Sequence, residues 1–86
     1  MAMFYVYILK SVRDERLYIG YSTDLKRRIE EHGEGHNKST KYRRPLKLIY
    51  YEAYASQADA EQREFKLKHS AGAYTALKRR IQSCLR

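Results

Sequence analysis

The sequence predicts an α+β fold: a small three-stranded antiparallel sheet flanked by helices, in the order ββαβαα. Two observations carry this. Residues 4–10, 17–21 and 46–54 are rich in aromatic and β-branched side chains, and the first two are joined by a short polar connection, as in a hairpin. Later segments repeat apolar residues at helical spacing behind capping residues. The 86 residues fit one domain spanning 1–86, with no repeat, low-complexity stretch or linker to divide it.

Each element has a local reason. "FYVYILK" (4–10) is apolar on both faces and reads as a buried strand. The run that contains it is too short to span a bilayer and lacks the basic opening of a signal peptide. "SVRDER" is a polar connection, and "LYIGY" (17–21) is the second strand. Ser22, Thr23 and Asp24 offer caps for a helix running to about His32, and Gly33 suits its stop. Residues 33–45 form a loop that contains the only proline. "LKLIYYEAY" (46–54) is the third strand. "SQAD" (56–59) resembles a capping box with Asp in place of Glu or Gln, opening a helix to about Lys68. "HSAGA" breaks the chain, and a last helix spans roughly 73–85 on a stripe of Tyr74, Leu77, Ile81 and Leu85.

Charge and composition narrow the function. Lys and Arg number 18 against 10 Asp and Glu, a net charge of +8, which points to a polyanionic partner. Nucleic acid is favoured over a membrane surface. The single cysteine, Cys84, excludes an internal disulfide framework, fits a reducing cytoplasmic setting, and reads as a small apolar filler. Nine tyrosines stand beside two phenylalanines and no tryptophan, so hydroxyls occupy packing positions and must find partners where buried.

A helical wheel at about 100° per residue separates the charged residues. On the first helix, Arg28 and His32 flank the stripe of Leu25 and Ile29, whereas Arg27 faces water among Glu30 and Glu31. Arg28 either snorkels over the core edge or serves a site. On the second helix, Glu64 falls on the inward half beside Ala60, Phe65 and Leu67. An inward carboxylate pairs with an arginine or with Lys68, or it binds a divalent cation, and the wheel leaves these open. His32 and His36 have i,i+4 spacing, but Gly33 and Gly35 interrupt the helix and no third ligand matches, which argues against zinc. Neither a glycine-rich phosphate loop nor a Ser-His-Asp order stands out.

Together these residues resemble the GIY-YIG nuclease family. "YVY" (Tyr5, Val6, Tyr7) resembles the GIY half, with Tyr5 in place of the glycine, and "YIG" (Tyr18, Ile19, Gly20) matches the other half. The family's helix arginine falls on Arg28, its histidine or tyrosine one turn later on His32, and its glutamate on Glu64 in "EFKLK". The resemblance covers nearly the whole chain and is closest to small stand-alone members, similar to the catalytic domain of the excision-repair incision subunit. Tyr21 stands where those repair subunits carry a lysine.

The resemblance implies metal-dependent hydrolysis of a phosphodiester, with DNA ahead of RNA as substrate and a role in DNA repair. In that scheme Arg28 clamps phosphate, Glu64 holds Mg²⁺ or Mn²⁺, Tyr7 and Tyr18 activate or position water, and His32 assists by hydrogen bonding or proton relay. A nearby arginine and metal would lower the Tyr7 pKa. Stand-alone members lack the DNA-binding domains of larger relatives, which leaves room for a targeting partner protein. Lys38, Lys41, Tyr42, Arg43, Arg44 and Lys47 form an acid-free basic run that suits backbone phosphates and a stacked base, or else a solvated loop. The alternative function is a nucleic-acid-binding module of the same fold that cuts slowly or not at all.

Overall fold

The computed structural model describes residues 2–86. Its strands are β1 (Phe4–Ser11), β2 (Leu17–Ser22) and β3 (Leu46–Tyr54), in the spatial order β2-β1-β3 with both pairs antiparallel. The predicted α+β class and element order hold. A central strand is covered on both faces, which is why β1 is the continuously apolar one. Val6, Tyr7, Ile8 and Leu9 are all buried.

Opposed residues in an antiparallel pair share a face, so the register assigns each side of the sheet. Phe4, Val6 and Ile8 lie with Ile19, Tyr21, Tyr50 and Tyr54 on one face. That face packs on α2 (Gln57–His69) and α3 (Ala71–Arg80) through Ala60, Leu67, Leu77 and Ile81, forming the core. The other face carries Tyr5, Tyr7 and Leu9 opposite Ser22, Gly20 and Tyr18. His32 of α1 (Leu25–Gly33) stacks its ring edge against Tyr7 and Tyr18 on that side.

Several boundaries differ from the sequence expectation. Asp24 caps α1, accepting from the Arg27 backbone N–H at 3.2 Å. Gly33 remains helical, and the left-handed residue is Gly35 (φ +82°), under the Arg44 guanidinium. The "HSAGA" break shrinks to Ser70, which ends α2 and caps α3 by accepting from the Ala73 N–H at 3.2 Å. Gly72 costs a helix about 1 kcal/mol, and a serine cap returns about as much. The last helix stops at Arg80, and Gln82–Leu85 is a 3₁₀ turn. Cys84 is exposed and fills no core space.

Two tyrosines find their partner on the core side. Glu52 of β3 accepts from Tyr50 at 2.6 Å, from Tyr54, and from Arg63 of α2 at 2.9 Å (Nε) and 3.0 Å (Nη2). Burial alone would raise the Glu52 pKa, but these donors outweigh it and hold the carboxyl below its ordinary range. Burial, reinforced by the same carboxylate, pushes Tyr50 and Tyr54 up to about 12. No helix among the described residues is long and apolar enough to cross a membrane.

Candidate active site

The sheet's second face brings Tyr7, Tyr18 and His32 together from β1, β2 and α1, with Arg28 one turn before His32 on α1; Glu64 comes from α2, which packs on the other face. Tyr7 lies on β1 directly opposite Gly20 of β2, and its ring occupies the space a side chain there would fill. A Cβ on Gly20 would fall 2.3 Å from Tyr7 Cζ and 2.4 Å from its hydroxyl. The glycine of "YIG" is therefore required by close approach. Tyr18 flanks this pair, its ring centroid 6.3 Å from that of Tyr7.

His32 projects from the last turn of α1 between the phenols. Its Nε2 is 2.9 Å from the Tyr7 hydroxyl, and its Nδ1 is 2.7 Å from Thr40 Oγ1. His32 and Thr40 are both wholly buried. Burial first, then the Arg28 guanidinium, holds the imidazole below its ordinary pKa of 6.5, against the pull of Glu31. His32 is therefore neutral near pH 7 and able to accept a proton.

Arg28 and Glu64 come from different helices, and both charges act on the Tyr7 hydroxyl. Burial raises the Tyr7 pKa well above 10; Tyr18 adds to this, Arg28 opposes it, and Glu64 and Glu31 raise it further. Arg28 does pull this pKa down, as expected, but desolvation of the phenolate outweighs the single guanidinium.

Each charge has a partner on its own helix. Arg28 Nε is 3.4 Å from Glu31, and Glu64 accepts from Lys68 at 3.0 Å. The Arg28 and Glu31 side chains are 41% and 36% exposed, and such surface pairs contribute about 0.5 kcal/mol or less. A phosphate offering bidentate, charge-assisted bonds would displace Glu31 readily. Two open clefts, about 260 and 180 Å³, meet at Arg28 and Glu31. Tyr7, Tyr18, His32 and Glu64 line neither cleft, and larger cavities lie elsewhere.

A metal would rest on Glu64. Among the described residues, no group of three or more His, Cys, Asp and Glu converges. That donor set suits Mg²⁺ or Mn²⁺, since Mg²⁺ takes one or two protein carboxylates and completes its shell with water and phosphate oxygens. Glu64 fits: its side chain is only 23% exposed, and Lys68 is its one side-chain partner among the described residues.

A family model described as the GIY-YIG catalytic domain matches residues 3–82. The chain belongs to the GIY-YIG family. Among its relatives, a UPF0213 protein of Staphylococcus haemolyticus is 45% identical over 69 residues, covering 79% of this chain and 83% of that protein. One from Staphylococcus saprophyticus is 42% identical over 65 residues, covering 74% and 78%. The solution NMR structure of a UPF0213 protein from Bacillus halodurans matches with a TM-score of 0.55 and 38% identity, over 87% of this chain and 81% of that one.

In this GIY-YIG chain the basic loop is less free than its sequence implies. Ser11 donates to the Arg43 carbonyl at 2.6 Å, Arg13 donates to the Tyr42 carbonyl at 3.1 Å, and the Val12 N–H donates to the Pro45 carbonyl at 2.9 Å. These bonds tie the loop to the β1–β2 turn. The Arg43 side chain is 24% exposed and lies 3.6 Å from Asp14. Arg44 Nε donates to the Lys41 carbonyl at 2.9 Å. Lys38, Lys41, Tyr42, Arg44 and Lys47 remain exposed, with Lys41 Nζ 5.3 Å from the Tyr42 ring centroid. Thr40 carries no signal in the sequence: it is one hydroxyl in an aperiodic loop. Glu52 was legible in principle, because Tyr50, Glu52 and Tyr54 share one face of β3 by period two.

Proposed function

We propose that this chain is a nuclease that hydrolyses phosphodiester bonds in nucleic acid, DNA ahead of RNA, with a divalent cation as cofactor. The observation that carries this reading is the Tyr7–His32 hydrogen bond at 2.9 Å between two buried side chains. Nucleic-acid binding alone requires no such buried, neutral proton path.

Tyr7 is neutral at pH 7, so it can take a proton from water only while passing on its own. Water attacks phosphorus, the Tyr7 oxygen takes a water proton, and the phenolic proton passes to His32 Nε2. The bond from phosphorus to the leaving oxygen breaks, and solvent protonates that oxygen. Tyr18 positions water or phosphate beside Tyr7. Arg28 exchanges Glu31 for two phosphate oxygens and stabilises the charge growing on them. Glu64 would hold the divalent cation, which would supply positive charge to offset the charge developing on the phosphate and leaving group.

The test is cleavage of single strands, duplexes, flaps and RNA in Mg²⁺ or Mn²⁺ against EDTA. Arg28→Ala and Glu64→Ala are expected to lower the rate at least about 100-fold while melting near the wild-type temperature. Either variant cutting at the wild-type rate would remove that residue from the mechanism. A wild-type chain that binds but does not cut would leave the fold as a binding module.

A further inference from the structure

We propose that Thr40 is a positioning residue: its hydroxyl accepts the Nδ1–H of His32, fixing the imidazole with its Nε2 lone pair turned to the Tyr7 phenol. This rests on the reading in which His32 takes the phenolic proton.

The argument begins with a count of donors. A neutral imidazole has one N–H donor and one bare nitrogen, and here each nitrogen meets a hydroxyl. Either hydroxyl can donate or accept, so geometry alone allows both tautomers. Acidity breaks the tie. A phenol is a far stronger acid than an aliphatic hydroxyl, so Tyr7 is the better donor to a ring nitrogen. Nδ1 must then carry the hydrogen, and Thr40 Oγ1 is its partner among the described residues. Because His32 and Thr40 are wholly buried, bulk water cannot replace that acceptor. In the opposite tautomer, Nε2–H would donate to Tyr7 and block the phenolic proton's path.

Thr40 is itself firmly placed. Its N–H donates to the Asn37 carbonyl at 3.2 Å, and its carbonyl accepts from the Arg43 N–H at 2.9 Å. The next residues are pinned by Ser11 and Arg13 of the β1–β2 turn. Support therefore runs from the hairpin turn through the loop to Thr40, then to His32 and Tyr7. The charged and titratable groups around His32 are Arg28 and Glu31 from its own helix and Tyr7 and Tyr18 from the sheet. None of them offers Nδ1 an acceptor among the hydrogen bonds present.

The experiment is a long-range ¹H–¹⁵N spectrum of the histidine rings near pH 7.5. His32 is assigned by the peaks lost in His32→Gln. Wild type is expected to show a protonated Nδ1 and a bare Nε2. Thr40→Ser should keep that pattern, and Thr40→Val should shift His32 toward the Nε2–H form. Cleavage by Thr40→Val should fall about 10–100-fold, with Thr40→Ser close to wild type. A bare Nδ1 in wild type, or an unchanged pattern in Thr40→Val, overturns the proposal. Should Thr40→Val fail to fold, wild type and Thr40→Ser still decide the tautomer. The spectrum needs no turnover: the expected pattern in a chain that cuts nothing would sink the nuclease reading and leave the Thr40 assignment standing.

Discussion

Gly20→Ala tests how the two halves of the motif depend on each other. The new methyl group would sit 2.3 Å from Tyr7 Cζ, 2.4 Å from its hydroxyl and 2.9 Å from Cε1. Ordinary carbon–carbon contact needs about 3.5–4.0 Å, so the ring must retreat by more than about 1 Å. It has little room, because Tyr7 is 1% exposed and the His32 and Tyr18 rings stand beside it. Overpacking of this kind costs about 1–3 kcal/mol, which for a domain of this size lowers the melting temperature by roughly 4–24 °C. A 1 Å retreat also strains the 2.9 Å bond to His32, and misplacement on that scale costs catalysis about 100-fold. Thermal denaturation and the cleavage assay read both effects. In a Tyr7→Leu background the same glycine change should cost under about 1 kcal/mol, because the obstructing ring tip is gone. A Gly20→Ala protein that melts and cuts like wild type would refute the close-approach account of the motif.

Three further outcomes follow from the charges. Lys41→Ala and Lys47→Ala should each reduce the salt slope of nucleic-acid binding by about one counterion, whereas Arg43→Ala should lower stability more than slope; equal slopes for all three would remove the distinction drawn between exposed and inward cations. Arg63→Ala should destabilise by about 3 kcal/mol, because it leaves Glu52 paired only with phenols at 14% side-chain exposure. Arg63→Met with Glu52→Leu should recover most of that loss in denaturant titration, and a double variant as weak as the single would count against a desolvation cost. Acid should weaken the fold in two stages. The folded His32 pKa lies below 6.5, so the unfolded chain binds more protons as pH falls past about 6.5, and stability declines from there. The folded Glu52 pKa lies below 4.5, so its contribution is present above about 4.5 and is lost as pH falls further. His32→Gln should erase the upper stage in a plot of melting temperature against pH; an unchanged plot would mean that burial does not disfavour the imidazolium.

What the sequence revealed and what it hid divide along one physical line. Periodicity reports the face a residue occupies, not what stands across from it. The wheel set His32 beside the apolar stripe, and it is the buried residue of α1. It set Arg28 at the stripe's border, where 41% of the side chain stays exposed beside Glu31. It left Glu64 with several partners, and Lys68 one turn on is the one it holds. Thr40 and the Arg63 pairing depend on contacts 8 and 11 residues away in sequence, and neither pairing is stated by a period. Helix stops fared similarly. Glycine marks where a left-handed residue is cheap, so two glycines near the end of α1 left the choice to the Arg44 guanidinium packed over Gly35.

The basic loop shows why counting charge overstates a binding surface. Its cations look equivalent when written in a row, and formal charge treats them so. Arg43 instead turns back toward Asp14 at 3.6 Å, with Nε and Nη2 buried and lacking hydrogen-bond partners. Arg44 spends its Nε on the Lys41 carbonyl. Such groups still add to the long-range potential that draws a polyanion in, because that field depends on charge and distance, not on contact. Arg43, turned inward, is poorly placed to release counterions at a phosphate, whereas Arg44 stays exposed. Formal charge therefore does not identify which cations are free for a partner, and the backbone of Arg43 helps hold the turn that presents Thr40 to His32.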